Sequence, residues 1–246
     1  MARSTFREAG AYLSLLGLLV LAGCTPGYEE LPTYRYRLTV ELATPQGVRS
    51  GSGVIEVHTW QAGPQTIPSP GAIRTREDGE AIVIDLGRQG LVFALMRAGN
   101  FMDWPGSVAR SLIPSVKGDT YDVRGAEIAA IKAMRGVREV PPTFASGSSQ
   151  LQNWPDLVRF ADRSRPETIR WIGPLPPGRI APFAVAIRRV TFEIVDAPVT
   201  RTINRRLPWL SDAAGETRLP TDLDRAGLDP FIPPLSSFDF TRNVDR

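Results

Sequence analysis

The sequence predicts an α+β domain built mainly from antiparallel sheet, as hairpins and meander, with one or two inserted helices. Three observations carry that expectation. Residues 34–42 (YRYRLTVEL) alternate apolar and polar side chains without a break, the period of a half-buried strand. Further β-rich runs recur at short spacing with turn residues between them. Between Ala98 and Pro142 the apolar spacing lengthens to three and four residues, which is the period of a helix.

The elements follow in order. Tyr34, Tyr36, Leu38, Val40 and Leu42 share one face of the first strand, and Arg35, Arg37, Thr39 and Glu41 share the other. Thr44-Pro45-Gln46-Gly47 supplies turn chemistry, and Val48–Trp60 returns as a second strand. With Gln46 and Gly47 at the tip, Tyr36 would face Val57, Leu38 would face Ile55, and Arg37 would face Glu56 on the polar side. Pro-Gln-Gly also suits a three-residue loop, which shifts the register by one and turns Ile55 and Val57 outward. A bulge at Gly51 or Gly53 would restore the parity.

Ala81–Leu86 follows an Asp78-Gly79 turn signal and Leu91–Met96 follows Gln89-Gly90, so both read as strands of a meander. Asp103–Ile113 has room for a short helix near Trp104-Pro105. Ala126–Arg135 reads as a second helix, with Ile128, Ile131 and Met134 on one stripe and Gly136 as its stop. Ala145–Gln150 (ASGSSQ) reads as a loop. Asp156–Ala161 and Thr168–Ile172 read as short strands, and Phe183–Val195 as a longer one in which Val190, Phe192 and Ile194 alternate with polar neighbours. Ser211–Arg246 is Pro- and Asp-rich and is expected to be mostly irregular, wrapping a domain that spans residues 34–210.

The first 24 residues are a separate matter. Arg3 and Arg7 precede an apolar run, Ala11–Ala22, whose 12 residues are too few to cross a bilayer core, which takes about 20. A secretory signal has that form. The run ends at Leu21-Ala22-Gly23-Cys24, which resembles the lipobox of bacterial lipoproteins, and Cys24 is the only cysteine in the chain. The resemblance implies removal of residues 1–23, acylation of Cys24 with a diacylglycerol and a further chain such as palmitate, and stable membrane anchoring. Residues 24–33 would then form a tether. Thr25 stands where an aspartate favours inner-membrane retention in such proteins, so the implied address is the outer membrane, facing the periplasm.

Composition narrows the function. At 42% hydrophobic residues the chain has enough apolar side chains for a core, which excludes a disordered class. One cysteine and one histidine exclude an internal disulfide, a Cys-rich zinc site and a multi-histidine metal centre. Cleavage removes Arg3, Arg7 and Glu8, leaving 27 basic against 25 acidic residues and a net charge of +2. That is no nucleic-acid footprint. Of the basic residues only Lys117 and Lys132 are lysine, a bias of genome composition rather than of binding.

No phosphate-binding loop, serine-hydrolase elbow, dinucleotide fingerprint or zinc-protease motif is present. His58 lies on a charged strand face near Glu56 and Arg35, the setting of a solvated surface histidine. Glu77/Asp78 and Asp119/Asp122 are the nearest carboxylate pairs for an acid–base hydrolysis, although the first flanks a turn glycine. Arg188-Arg189 and Arg201 with Arg205-Arg206 form two basic clusters able to hold an anionic ligand such as a lipid headgroup or glycan. Trp104, Trp154 and Trp209 each adjoin a proline, an arrangement that pins loops onto a core or lines a groove. No catalytic residue, cofactor or metal ligand is assigned.

The segments RYRLTVEL, SGSGVIEVHT, LVFALM, RRVTFEIVDAPVT and RRLPWL, spread over roughly residues 34–210, resemble segments of proteobacterial proteins that carry no assigned activity. That resemblance implies a folded domain and transfers no functional residue. The expectation is a lipid-anchored envelope protein that binds another envelope protein or an anionic polymer without catalysis. The alternatives are an envelope hydrolase using paired carboxylates and a carrier of a small ligand.

Overall fold

The computed structural model describes residues 29–116, 118, 120–146, 149–174, 184–212, 218–219 and 234–242. Cys24 and the lipobox residues Leu21, Ala22 and Gly23 lie outside that set, as do Lys117, Asp119 and much of the tail after Asp212. The architecture is α+β and mostly antiparallel β-sheet.

Strands β1 (Glu29–Thr44), β2 (Gly47–Gln61), β3 (Ile73–Glu80), β6 (Arg138–Glu139), β11 (Ala186–Ile194) and β12 (Thr241–Arg242) form one sheet in the order β12-β3-β2-β1-β11-β6. Strands β4 (Ile82–Asp85), β5 (Leu91–Ala94), β9 (Leu157–Phe160) and β10 (Ile169–Gly173) form a second, ordered β10-β9-β5-β4. A small hairpin pairs β7 (Thr143–Ser146) with β8 (Ser149–Gln152). Helices α1 (Trp104–Ser107) and α2 (Tyr121–Ala133) lie between β5 and β6, and α3 (Trp209–Asp212) follows β11.

The alternation in β1 sets the inner face of the larger sheet. Tyr34, Tyr36, Leu38, Val40 and Leu42 are all buried, and Tyr36 stacks on Phe192 of β11 with ring centres 4.7 Å apart. The β1–β2 register differs from expectation by two residues. Pro45-Gln46 is the loop, Gly47 takes φ +104°, and Tyr36 lies opposite Ile55 rather than Val57. A shift of two keeps every side chain on its face, so the core is unchanged while the polar partners move. Arg37 therefore pairs with Glu193 and Arg35 with Glu56.

No bulge is needed at Gly51 or Gly53, because the ladder runs straight through both and shifts between Leu31 and Tyr34. Gly51 serves β4 instead. A β-carbon there would lie 2.3 Å from the Val83 carbonyl oxygen, so the missing side chain lets the second sheet approach the first. One large cluster fills the space between them, including Ile55, Ile84, Met96, Trp104, Ile128 and Phe192.

Three other expectations are corrected. Asp78-Gly79 is not a turn before a meander strand: it lies within β3, which continues the first sheet, while β4 leaves for the second. Residues 145–150 are not simply a loop, since Ala145 pairs with Gln150 in the β7–β8 hairpin. The main helix starts at Tyr121, five residues before the expected start at Ala126, because the Thr120 hydroxyl caps it by accepting from the Val123 amide. Its buried contacts are Ile128 and Ile131 as the stripe implies, and Gly136 stands at φ +69° beyond its end.

The second sheet is buried on both faces. Ile82, Ile84, Val92 and Ala94 face the main cluster, while Phe93, Leu95, Val158 and Phe160 face a second one. Ile203, Leu207, Leu210, Leu219, Leu235 and Phe240 complete it, so the segment after β11 covers this sheet. Leu219, Leu235 and Phe240, described residues of the expected wrapping tail, are thus part of a packed layer. Its turn Ser237–Asp239 is held by a capping box in which Asp239 accepts from the Ser236 amide at 2.7 Å.

Candidate functional site

A cleft of about 720 Å³ opens along the outer edge of β3. Thr75–Glu77, Gly79 and Glu80 form one wall, Thr200, Arg201, Ile203 and Asn204 a second, and Phe238, Thr241 and Arg242 a third. Met102, Asp103, Leu210 and Ser237 complete the lining, and Phe238 on the rim is 43% exposed.

Three carboxylates on β3 are buried beside it: Glu77, Asp78 and Glu80. Each has at least one oxygen engaged, while Glu77 Oε1 and Asp78 Oδ1 are buried with no hydrogen-bond partner among the described residues. Arg242 reaches Glu77 at 2.5 Å and also donates to the Met102 carbonyl. Arg201 pairs with Asp78. Glu80 accepts from the Thr202 amide and hydroxyl and from the Ile203 amide, all within 2.9 Å. Burial pushes the Glu77 carboxyl above its ordinary range against the pull of Arg242, and the nearby charge of Asp103 adds to the rise.

The sequence pair Glu77/Asp78 is therefore not a working pair in space. Successive strand residues point to opposite faces, so Glu77 meets Arg242 and Asp78 meets Arg201. The carboxylate that shares the cleft with Glu77 and acts on its charge is Asp103. Asp122 of the other sequence pair sits in the first turn of α2, and Asp119 lies outside the described residues.

The arginines of the expected anionic patch separate into groups. Arg188 and Arg189, on β11, both face Glu41 of β1, at 3.8 and 2.6 Å. Arg201 lines the large cleft. Arg205 and Arg206 line a neighbouring cleft of about 500 Å³ with Ser52, Thr200 and Thr202. β3 carries the Asp78 that holds Arg201, and β2 and β1 separate it from β11, so the first pair belongs to a different part of the sheet.

His58 is one-third exposed and its Nε2 lies 3.2 Å from Glu56, which Arg35 also holds. Two of the three tryptophans have their indole N–H engaged with a backbone carbonyl, Trp104 with Asn153 at 3.1 Å and Trp154 with Val140 at 2.8 Å. Trp209 packs edge-on against Phe240. All three act as loop anchors.

A second polar cluster was not visible in the sequence. Arg97, three residues beyond β5, is fully buried with Asp156 and Asp239. Its Nε donates to Asp156 and to the Gly99 carbonyl, both at 3.1 Å, and a terminal nitrogen lies 3.6 Å from Asp239. Asp156 further accepts from the Gly99 amide and from Gln152. Burial pushes the Asp156 carboxyl up to about 7 and raises Asp239 as well, although Arg97 pulls both down. With every member inaccessible, this knot joins the second sheet to the tail rather than meeting a ligand.

Sequence reasoning also passed over Arg242, Asp103 and Phe238. The last turn did carry a signal, a Ser-x-x-Asp capping pattern at Ser236–Asp239. Arg242 and Asp103 had none. Among the described residues no three His, Cys, Asp or Glu side chains gather as a metal site, and no helix is long and apolar enough to cross a membrane. Comparison with protein-family models, with curated proteins and with solved structures gives no match to this chain.

Proposed function

We propose that this is a lipid-anchored cell-envelope protein whose sheet domain is a non-enzymatic binding or accessory module for an envelope protein or anionic polymer. The observation that supports binding is the state of the large cleft. The carboxylates of its β3 wall are held by arginines or backbone amides, while its rim offers Phe238 and the half-exposed Arg201. Groups committed to one another are poorly placed to move protons, and an exposed aromatic ring at a cleft suits a surface that holds a partner. The lipobox at residues 21–24 supports the anchor and an outer-membrane address facing the periplasm.

The test has two arms. Cys24→Ser should abolish incorporation of labelled lipid and leave the precursor uncut; a variant that is still processed and membrane-bound overturns the anchor. A photocrosslinker at Phe238 should trap a partner in intact envelope that one at Val48, on the far hairpin, does not. Equal or absent trapping at both positions overturns the cleft as the binding face.

A second reading has its own support. Glu77, its carboxyl raised by burial, faces the same cleft as Asp103, and two carboxylates lining one cleft are the side chains that glycoside-type hydrolysis uses. Release of sugar from envelope glycans by the purified protein, lost in Glu77→Gln, would favour it.

A further inference from the structure

We propose that the loop between β2 and β3, residues 62–72, rests on the bilayer surface beside the lipid anchor and fixes the orientation of the domain. This rests on the anchor proposed above. The loop reads AGPQTIPSPGA, eleven residues without a charge in a chain that is 22% charged. At its tip Ile67 is 91% exposed, the most exposed large apolar side chain among the described residues. Leaving such a side chain in water is unfavourable, and it is a normal feature of a surface that meets an apolar phase.

The loop is also held in shape. The Ala62 amide donates to the Ala72 carbonyl at 2.8 Å, the Thr66 amide to Gly63 at 3.1 Å, and the Gln61 side chain to the Gly71 carbonyl at 3.1 Å. Ile67 is thus presented on a closed loop whose backbone groups are partly satisfied within it, as contact with a membrane interface requires. Trp60, half-buried and opposite Glu30 and Arg74, stands at its base, where an amphipathic aromatic suits the headgroup level.

Chain geometry supplies the independent argument. Glu29 pairs with Gln61, and Gln61 pairs with Ile73, so the start of β1 and the base of this loop share one end of the sheet. Five residue steps separate Cys24 from Glu29, and at most about 3.6 Å per step limits that reach to roughly 18 Å. A lipid on Cys24 therefore holds this end of the sheet close to the headgroups. The opposite end, with Pro45-Gln46 at its tip, points away along a strand of 16 residues. Glu29 and Glu30 flank the start of β1 and Arg74 the start of β3, so the contact suits a bilayer surface of low net charge.

The experiment uses the full lipidated protein in phosphatidylethanolamine–phosphatidylcholine vesicles. Acylation blocks Cys24, so Ile67→Cys carries a unique thiol for an environment-sensitive fluorophore, and Gln46→Cys serves as the control at the opposite end. Emission at residue 67 should be blue-shifted, several-fold brighter than at residue 46, and quenched by lipid-borne spin labels. Equal emission at both positions, in protein that floats with the vesicles, overturns the loop contact alone. Label recovered on Cys24, in protein that does not float, overturns the anchor and the contact with it.

Discussion

Two sets of arginine–carboxylate pairs in this molecule behave in opposite ways. On the outer face of the larger sheet, Arg37–Glu193 and Arg189–Glu41 are cross-strand pairs with their guanidinium groups 40 and 48% exposed. Where the second sheet meets the tail, Arg97, Asp156 and Asp239 have no exposure at all. Outside, the hydrogen bond from Arg189 lowers the Glu41 carboxyl below its ordinary range. Inside, burial outweighs the arginine and raises both aspartates. The difference shows that an ion pair's effect is set by the solvent it has lost more than by the partner it has gained.

The largest expected effect comes from breaking the inner knot. Arg97→Met should cost about 3–5 kcal/mol of stability at pH 8, because it leaves two carboxylates and the Gly99 carbonyl buried without their donor. The loss in urea unfolding should shrink at pH 5, below the value of about 7 to which burial raises Asp156. A cost that is small and independent of pH would show the knot to be ordinary packing.

A second test follows the pH dependence itself. The Asp156 carboxyl titrates at about 7 in the fold against 3.8 in the unfolded chain, so folding takes up a proton between these values. Its contribution is therefore fully present below pH 4 and is lost as pH rises through 7. Glu77 and Asp239 act in the same direction. The urea midpoint should fall from pH 5 to pH 8, and Asp156→Asn should flatten that fall.

Glu80 lies between the two extremes, buried but satisfied by uncharged donors. Glu80→Gln points an amide N–H at the Thr202 and Ile203 amides and should cost about 1–3 kcal/mol, loosening the segment that carries Arg201. Hydrogen exchange at Thr202 and Ile203 should quicken along with the stability loss. The smallest effect belongs to the outer ladder: Glu193→Gln should change stability by less than about 1 kcal/mol, and less again in high salt. A large loss there would mean that the outer pairs are not screened as their exposure implies.

The two regions also differ in how far the sequence revealed them. The polar faces of β1 and β11 follow from their alternation, and the two-residue register difference in the β1–β2 hairpin moved no side chain off its face; that β11 lies beside β1 did not follow from the sequence. The inner knot left no local trace. Arg97 ends an apolar run, Asp156 starts another and Asp239 closes a turn in the Pro-rich tail, so nothing in one window marks them as partners. β3 was missed for a related reason. Glu-Asp-Gly-Glu reads as a turn, since acidic residues avoid buried strands unless paired, and their partners Arg201 and Arg242 lie 123 and 165 residues away.

By itself the sequence determined the predominance of antiparallel sheet, the inward face of β1, the stripe of the main helix and the uncharged character of the 62–72 loop. These depend on period and composition, which are local. Tertiary structure alone decided that β4 leaves the first sheet, that the tail closes the second core, and that Glu77 shares a cleft with Asp103 rather than working with Asp78. The reason is desolvation: a charge can enter the interior only where a distant segment brings its counter-charge or its hydrogen-bond donors, and local sequence does not record which segment that is.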